Sequence, residues 1–355
     1  MGIEHNIQMK LISLLIRAAT AFACSLLVLW CFGILWFLRS GIGGPCLAVS
    51  WSAVLLVKLR KPKSTGVDTP PEERKKWQPS RRLMTTLIGC AGPILLSFFQ
   101  WPSNSRNWAD DHAFHPIISI DGDDVTIEMF RNSVHHSKNE KDVCYETRTF
   151  QLSQLDGVWF VVHRFTALEG IAHNFLTFRV MTEDGPQYFS VSVEVRREQG
   201  ESFSAVRGLF RQYELIYVIS DEKDEVGRRA AFHPDQPVHL YPLKATPAQI
   251  QTLFQNIAKR IDGLRETPEF YHSLLNNCTN NIAWHADDIL KRKVDWLDSR
   301  VVAPGYADRY AYELGMIGRD GEDFESLKAR CRIDQIAREK GIGETFSADI
   351  RRNTD

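Results

Sequence analysis

The chain of 355 residues contains no C-x-x-C pair, no internal repeat and no low-complexity tract. Without paired cysteines, a zinc ribbon or a thioredoxin-like redox site is excluded. An excess of one charge is also missing, since the formal net charge is −1. The single dense basic block lies between two apolar runs, so nothing suggests a nucleic-acid partner. The acids of Asp121-Gly122-Asp123-Asp124 do not have EF-hand spacing and read as a turn before a short strand, Val125 to Met129.

Three long uncharged runs are present instead. Ala18 to Leu38, Gly41 to Val57 and Leu83 to Gln100 contain no Asp, Glu, Lys or Arg. A helix rises about 1.5 Å per residue, so about 20 apolar residues cross a hydrocarbon core of about 30 Å. We therefore expect a three-helix transmembrane anchor within residues 1–101, with spans at about 11–38, 41–57 and 83–101. A cleaved signal peptide is the alternative for the first run, but that run exceeds the usual core of about 7–15 apolar residues. A re-entrant pair is the alternative for the second, which holds Pro45 and three glycines.

Lys58 to Arg82 carries nine Lys or Arg against three acids. Such an excess stays cytoplasmic. The third span then delivers residues 102–355 to the outer face, where lipid headgroups and the cell envelope are the neighbours. Four cysteines, Cys24, Cys31, Cys46 and Cys90, fall in the apolar runs and read as small hydrophobes. Cys144, Cys278 and Cys331 fall outside. A bridge between Cys144 and Cys331 would leave Cys278 free, a pairing that the sequence leaves open.

The outer region predicts an α+β fold. Strands are expected over Val158 to Phe165, Ala172 to Met181, Gln187 to Arg197 and Tyr213 to Ser220. Phe189, Val191, Val193 and Val195 alternate with Ser190, Ser192, Glu194 and Arg196, so one face is core and the other polar. Asp184-Gly185 between β-rich runs signals a hairpin. Thr246, Pro247 and Gln249 predict a capped helix with the stripe Ile250, Leu253, Phe254, Ile257, Ile261 and Leu264. A second helix is expected from Cys278 to about Lys291, and a third from Asp323 to Lys340. His135-His136 reads as surface.

One constellation could carry chemistry. Asn277 is a favoured N-cap, so Cys278 falls in the first turn of a helix, where the dipole stabilises a thiolate. An imidazole would lower its pKa further. His173 opens a strand, and a hairpin folded about Asp184-Gly185 sets it opposite Arg196 with Glu194 on the diagonal. Cys278 as nucleophile, His173 as base and Glu194 as orienter are the expected catalytic residues. The plain alternative is a satisfied histidine at a strand end and an inert buried cysteine.

Several strings together resemble one bacterial family. They are Pro102-Ser103-Asn104-Ser105-Arg106-Asn107-Trp108, Ala172-His173-Asn174-Phe175-Leu176-Thr177-Phe178, Phe210-Arg211-Gln212-Tyr213-Glu214-Leu215-Ile216-Tyr217, Asn276-Asn277-Cys278-Thr279 and Pro304-Gly305-Tyr306-Ala307-Asp308. They are similar to the Lnb N-terminal periplasmic domain, from the spans to about residue 340. The resemblance implies a permuted papain-like domain of the NlpC type, with histidine before cysteine, an antiparallel sheet and a cysteine-bearing helix. It implies a multi-pass protein of the bacterial inner membrane with its C-terminal domain in the periplasm. It also implies a thiol acyltransferase or acyl hydrolase, with lipoprotein N-acylation from a phospholipid as the associated reaction. Phospholipid, lipoprotein and membrane would then be its partners. No cofactor or metal is expected, and Gln212, Tyr213 and Asn277 are expected near substrate. A cell-envelope cysteine peptidase or amidase, and a non-enzymatic binding or assembly protein, are the alternatives.

Overall fold

A computed structural model describes residues 2–38, 42–60, 71–287, 293–296 and 298–354. The chain divides into two compact units, Met1–Trp101 and Pro102–Asp355.

In the first unit, helix α1 (Gly2–Phe37) contains a stretch long and apolar enough to cross a membrane, Ile7–Phe37. Leu14, Phe22 and Leu29 on it are exposed, as lipid-facing side chains would be. Helix α2 (Gly43–Leu59) and the stretch Arg82–Phe98 of α3 (Pro71–Phe98) are shorter apolar helices. The three helices pack together. Trp51 Nε1 of α2 donates to the Gly89 carbonyl of α3 at 2.8 Å. The third helix starts at Pro71, ahead of its apolar stretch, and proline is well tolerated in a first helical turn. The middle of the expected basic loop, residues 61–70, lies outside the described residues.

The second unit is mixed α/β. Its strands are β1 (Ile117–Asp121), β2 (Asp124–Arg131), β3 (Val134–His135), β4 (Lys141–Asp142), β5 (Tyr145–Gln151), β6 (Leu155–His163), β7 (His173–Thr182), β8 (Gly185–Arg196), β9 (Glu214–Asp221) and β10 (Val238–Pro242). Among the described residues, eight of them form one sheet in the order β1-β2-β9-β8-β7-β6-β10, with β5 on β2. Every pair is antiparallel except β2 with β9. The clustered acids do form a turn: Gly122, at φ +61°, links β1 to β2.

The sheet is covered on both faces. Helix α4 (Ala205–Leu209) is a short connector, and α5 (Arg228–Phe232) continues a π-helical turn, Lys223–Gly227. Helix α6 (Pro247–Glu266) starts with the reciprocal cap its sequence announces, Thr246 N–H donating to Gln249 Oε1 at 2.9 Å and Gln249 N–H to Thr246 Oγ1. Its whole predicted stripe is buried. Phe254 from that stripe lies 5.8 Å from Phe189 of β8, which stacks on Phe178 of β7 at 5.3 Å. Each such side chain contributes about 1.5–3 kcal/mol on burial. The opposite face packs Trp159, Val161 and Phe175 against Val226, Ala230, Phe346 and Ile350.

Three local expectations change. The hairpin turns on Glu183-Asp184: Thr182 pairs with Gly185 and Phe175 with Ser192, a register shifted by two residues. Gly185 takes φ +111°, which lets the two-residue loop close. The expected helix from Asp323 to Lys340 is two helices, Phe324–Arg330 and Asp334–Lys340. The break occurs where the His239–Arg332 bridge ties the chain to β10, so tertiary pairing overrides helix propensity. His135 is not on the surface: its Nε2 meets Asp224 Oδ1 at 2.8 Å in a buried ion cluster, while His136 is exposed.

Candidate functional site

Helix α7 (Cys278–Asp287) is set by its own asparagines. Asn280 N–H donates to Asn277 Oδ1 at 3.0 Å, and Asn277 N–H donates to Asn280 Oδ1 at 3.2 Å. This reciprocal cap fixes Cys278 as the first helical residue, where the N–H groups of the first turn have no intrahelical acceptor. The expected end of this helix near Lys291, with Ile289 and Leu290, lies outside the described residues.

His173 is the first residue of β7. Carrying the observed hairpin register two residues past Phe175 and Ser192 sets Glu194 directly opposite His173, not diagonal to it. Their side chains meet, Nε2 to Oε1, at 3.2 Å. Ser192 sits between them: His173 Nε2 is 2.7 Å from Ser192 Oγ, and that hydroxyl donates to Glu194 Oε1 at 2.9 Å. The ring stacks on Phe175 at 5.4 Å and lines the same cavity as Cys278, close enough to act on the thiol's ionisation.

Electrostatics follow from this geometry. Burial alone would lower the His173 pKa, but the Glu194 charge and the hydrogen bonds to Cys278 and Glu194 push it up to about 9. Burial would raise the thiol. The hydrogen bond and charge of His173, the Asn174 backbone N–H and the Thr279 hydroxyl bring it below its ordinary value instead. Burial also works against ionised Glu194, yet His173 and Arg229 hold it well below the usual carboxylate range. The arrangement favours a thiolate–imidazolium pair.

Asn174 was not expected in this role. Its Nδ2 donates to Thr279 Oγ1 and to the Pro304 carbonyl, each at 2.9 Å, so it ties β7 to the cysteine helix. The Pro304-Gly305-Tyr306-Ala307-Asp308 string is its brace. Arg164 Nη2 donates to the Gly305 carbonyl at 2.9 Å and to Asp308 Oδ2 at 2.6 Å. A Cβ on Gly305 would lie 1.7 Å from the Glu169 carbonyl oxygen, so only glycine fits there.

Cys278, His173 and Glu194 line one cavity of about 420 Å³, with Phe203 and Tyr271 among its apolar walls. A smaller apolar cavity, about 70 Å³, is lined by Thr279, Leu176 and Ile282. Gln212, Tyr213 and Asn277 do not line the larger cavity. Tyr213 is fully buried with its hydroxyl on the Ser202 carbonyl at 2.7 Å, Gln212 Nε2 donates to the Phe210 carbonyl, and Asn277 is the helix cap. Cys144 is exposed and Cys331 buried, and they do not form the disulfide that the sequence left open. His173, Glu194 and Glu225 bring ligand atoms within 4.8 Å of one another. Both carboxylates are engaged by Arg228 and Arg229, which makes them an ion-pair network with little charge left for a cation.

Taken together, these residues form a thiol–imidazole–carboxylate constellation at one end of a mixed α/β sheet. Residues 141–305, which carry all of it, match the family of the Lnb N-terminal periplasmic domain. The match is narrower than the expected likeness and leaves Pro102 to Trp108 outside it. No curated protein and no solved structure matches the chain. A periplasmic domain family and an N-terminal span candidate fit a membrane-anchored protein.

Proposed function

We propose that the protein is a membrane-anchored thiol acyltransferase or acyl hydrolase working at the outer face of the inner membrane. The observation that carries this reading is Cys278, His173 and Glu194 lining one cavity, with His173 hydrogen-bonded to Ser192 and Ser192 to Glu194. In this reading the second unit is a permuted papain-like domain, α1 to α3 form a multi-pass anchor, and the basic 58–82 segment stays cytoplasmic.

The Cys278 thiolate attacks an ester carbonyl, and the tetrahedral oxyanion is held by first-turn N–H groups of α7. Such donors contribute about 3–4 kcal/mol in comparable holes. The intermediate collapses to a thioester, and the His173 imidazolium gives its proton to the departing alkoxide. An amine or a water then attacks the thioester, loses its proton to His173, and releases the thiolate. The apolar cavity beside Thr279, the residue after the nucleophile, suits hydrocarbon better than peptide. Tethering raises the local concentration of a lipid donor.

The test is to incubate the purified full-length protein with phospholipid and measure its intact mass. An added acyl group, labile to hydroxylamine and absent in Cys278→Ser, is expected. No adduct and no released fatty acid under any phospholipid would refute the reading. A reporter active only in the cytoplasm, fused after Asp355, is expected to stay silent.

A further inference from the structure

The lining of the large cavity is cationic in a way that the acyl chemistry does not use. Lys138, Arg197, Arg228 and Arg229 line it against one carboxylate, Glu194. Arg229 is spent on Glu194 at 2.8 Å and on the Glu225 carbonyl at 2.9 Å. Arg197 holds Asp111 at 2.8 Å. Arg228 is different. Its Nη2 makes longer contacts, 3.2 Å to Glu225 and 3.7 Å to Glu194, and its Nε is buried without an acceptor. His233 Nδ1, on the same wall, is likewise buried without a partner. Among the described residues the exposed Lys138 ammonium has no carboxylate within ion-pair distance.

A buried donor without an acceptor costs about 1–3 kcal/mol, so Arg228 Nε–H, with His233 Nδ1 beside it when that ring carries its proton on Nδ1, points to a ligand that supplies acceptors. Burial and then the charges of Lys138, Arg229 and Arg228 lower the His233 pKa, which fits a positive field there. Phosphate oxygens match both an arginine edge and a lysine point charge.

We infer that Arg228, His233 and Lys138 form an anion subsite that takes the phosphodiester of a glycerophospholipid while its ester carbonyl lies at Cys278. The inference rests on the acyl-transfer reading for the carbonyl, though not for the phosphate. In a glycerophospholipid the ester and the phosphate are a few bonds apart, so one ligand reaches both within a single cavity. Arg228, His233 and Lys138 bind and position; they are not catalytic residues.

The experiment uses the full-length protein in maltoside micelles, which contain no phosphate. The rate of Cys278 alkylation by iodoacetamide, a neutral reagent, reports occupancy. Dihexyl-ether phosphatidylglycerol, which cannot acylate the thiol, is compared with dihexyl-ether glycerol, which lacks the phosphate, and with sn-glycerol 3-phosphate. The phosphate-bearing diether should protect Cys278 at a concentration at least about tenfold lower than the phosphate-free one, the scale of one lost charged hydrogen bond. Arg228→Gln should remove most of that preference. Lys138→Gln, at an exposed position that does not threaten folding, should remove part of it. Equal protection by the two diethers overturns the subsite. Protection by glycerol 3-phosphate as strong as by the lipid overturns the lipid source in favour of a soluble phosphate ester. Intact mass separates this from failure of the acyl reading. A thioester formed equally well from dihexanoyl phosphatidylglycerol and dihexanoylglycerol keeps the acyl chemistry and sinks the subsite. Phosphate-dependent protection without any thioester does the reverse.

Discussion

The two faces of β8 are both buried, yet by different physics. On one, Phe189, Val191, Val193 and Val195 are 2–6% exposed and pack beneath α6 in the main apolar core. On the other, Ser190, Ser192 and Arg196 are 0–3% exposed, and the cover is charged. Arg229 bridges Glu194 and Glu225, Arg131 holds Asp224 and Glu225, and Arg351 holds Glu222. Apolar burial is non-directional and scales with area. Buried ion pairs add little net stability, but removing one partner costs about 3–5 kcal/mol. The apolar face therefore holds the sheet together, and the polar face holds one carboxylate in place beneath one imidazole.

The comparison breaks most sharply at the thiol. Cys278→Ser should lose at least about 10³-fold in turnover, because a neighbouring imidazole does not ionise a serine hydroxyl at rest. Its unfolding midpoint should stay at the wild-type value, and full activity would remove Cys278 as nucleophile. His173→Ala should lose about 10²–10⁴-fold, the usual range for a general acid–base. It should also return the alkylation profile of Cys278 towards the ordinary thiol value of 9.0, since the imidazolium charge and hydrogen bond are what lower it. An unchanged profile would mean that another group activates the thiol. As the two residues act as a unit, the double variant should be no slower than Cys278→Ala.

On the apolar face the expected signature is the opposite one. Phe189→Ala removes a ring packed on Phe178 and Phe254 and should cost about 3–5 kcal/mol in chemical denaturation. The pH profile of Cys278 alkylation in the folded protein should not move. If it does, the two faces are coupled and the division of labour is wrong.

The sequence shows the apolar face well and the polar face poorly, for physical reasons. Alternation along Phe189 to Arg196 identifies two faces, but it cannot say whether the polar one meets solvent or a layer of opposite charges. The run Asp221 to Arg229 carries one apolar side chain, Val226, and so gives no periodic signal. It is a π-helical turn followed by a helix whose Asp224, Glu225 and Arg229 are buried. The α6 cap and stripe were readable because they are local. The hairpin register was misread by two positions because Asp-Gly competes with Glu-Asp for the loop, and that slip hid the direct His173–Glu194 pairing. Strands β1 and β10 are illegible because each has only five residues, and β5 because it is mostly polar. Ser192 was legible only as a member of a face. Asn174, on the other side of β7, showed no sign that it reaches Thr279.

Glu194 tests the polar face with a smaller effect. Hydrogen bonds to charged groups contribute about 1.5–3 kcal/mol, so Glu194→Gln should slow turnover about 10- to 100-fold. The sign of its pH effect is fixed. The Glu194 charge raises the His173 pKa to about 9, so wild-type acyl-enzyme formation should decline as pH rises through about 9 and the imidazolium is lost. Without that charge the declining limb should move down, towards the 6.5 of an ordinary histidine. A limb that stays near 9 would show that Glu194 does not set the proton.

Ser192 gives the finest division. Its hydroxyl receives His173 Nε2 at 2.7 Å and donates to Glu194 at 2.9 Å, but the ring also reaches Glu194 directly at 3.2 Å. Ser192→Ala removes a neutral relay and leaves both charges in place. Both of its hydrogen bonds go to charged groups, but the direct His173–Glu194 contact at 3.2 Å survives their loss, so turnover should fall less than in Glu194→Gln, by about 2- to 10-fold, with the limb still near 9. If Ser192→Ala instead moves the limb as far as Glu194→Gln does, the carboxylate acts on the ring through the hydroxyl. The polar face would then work as a relay, and Glu194 would not be a charge set directly beneath the imidazole.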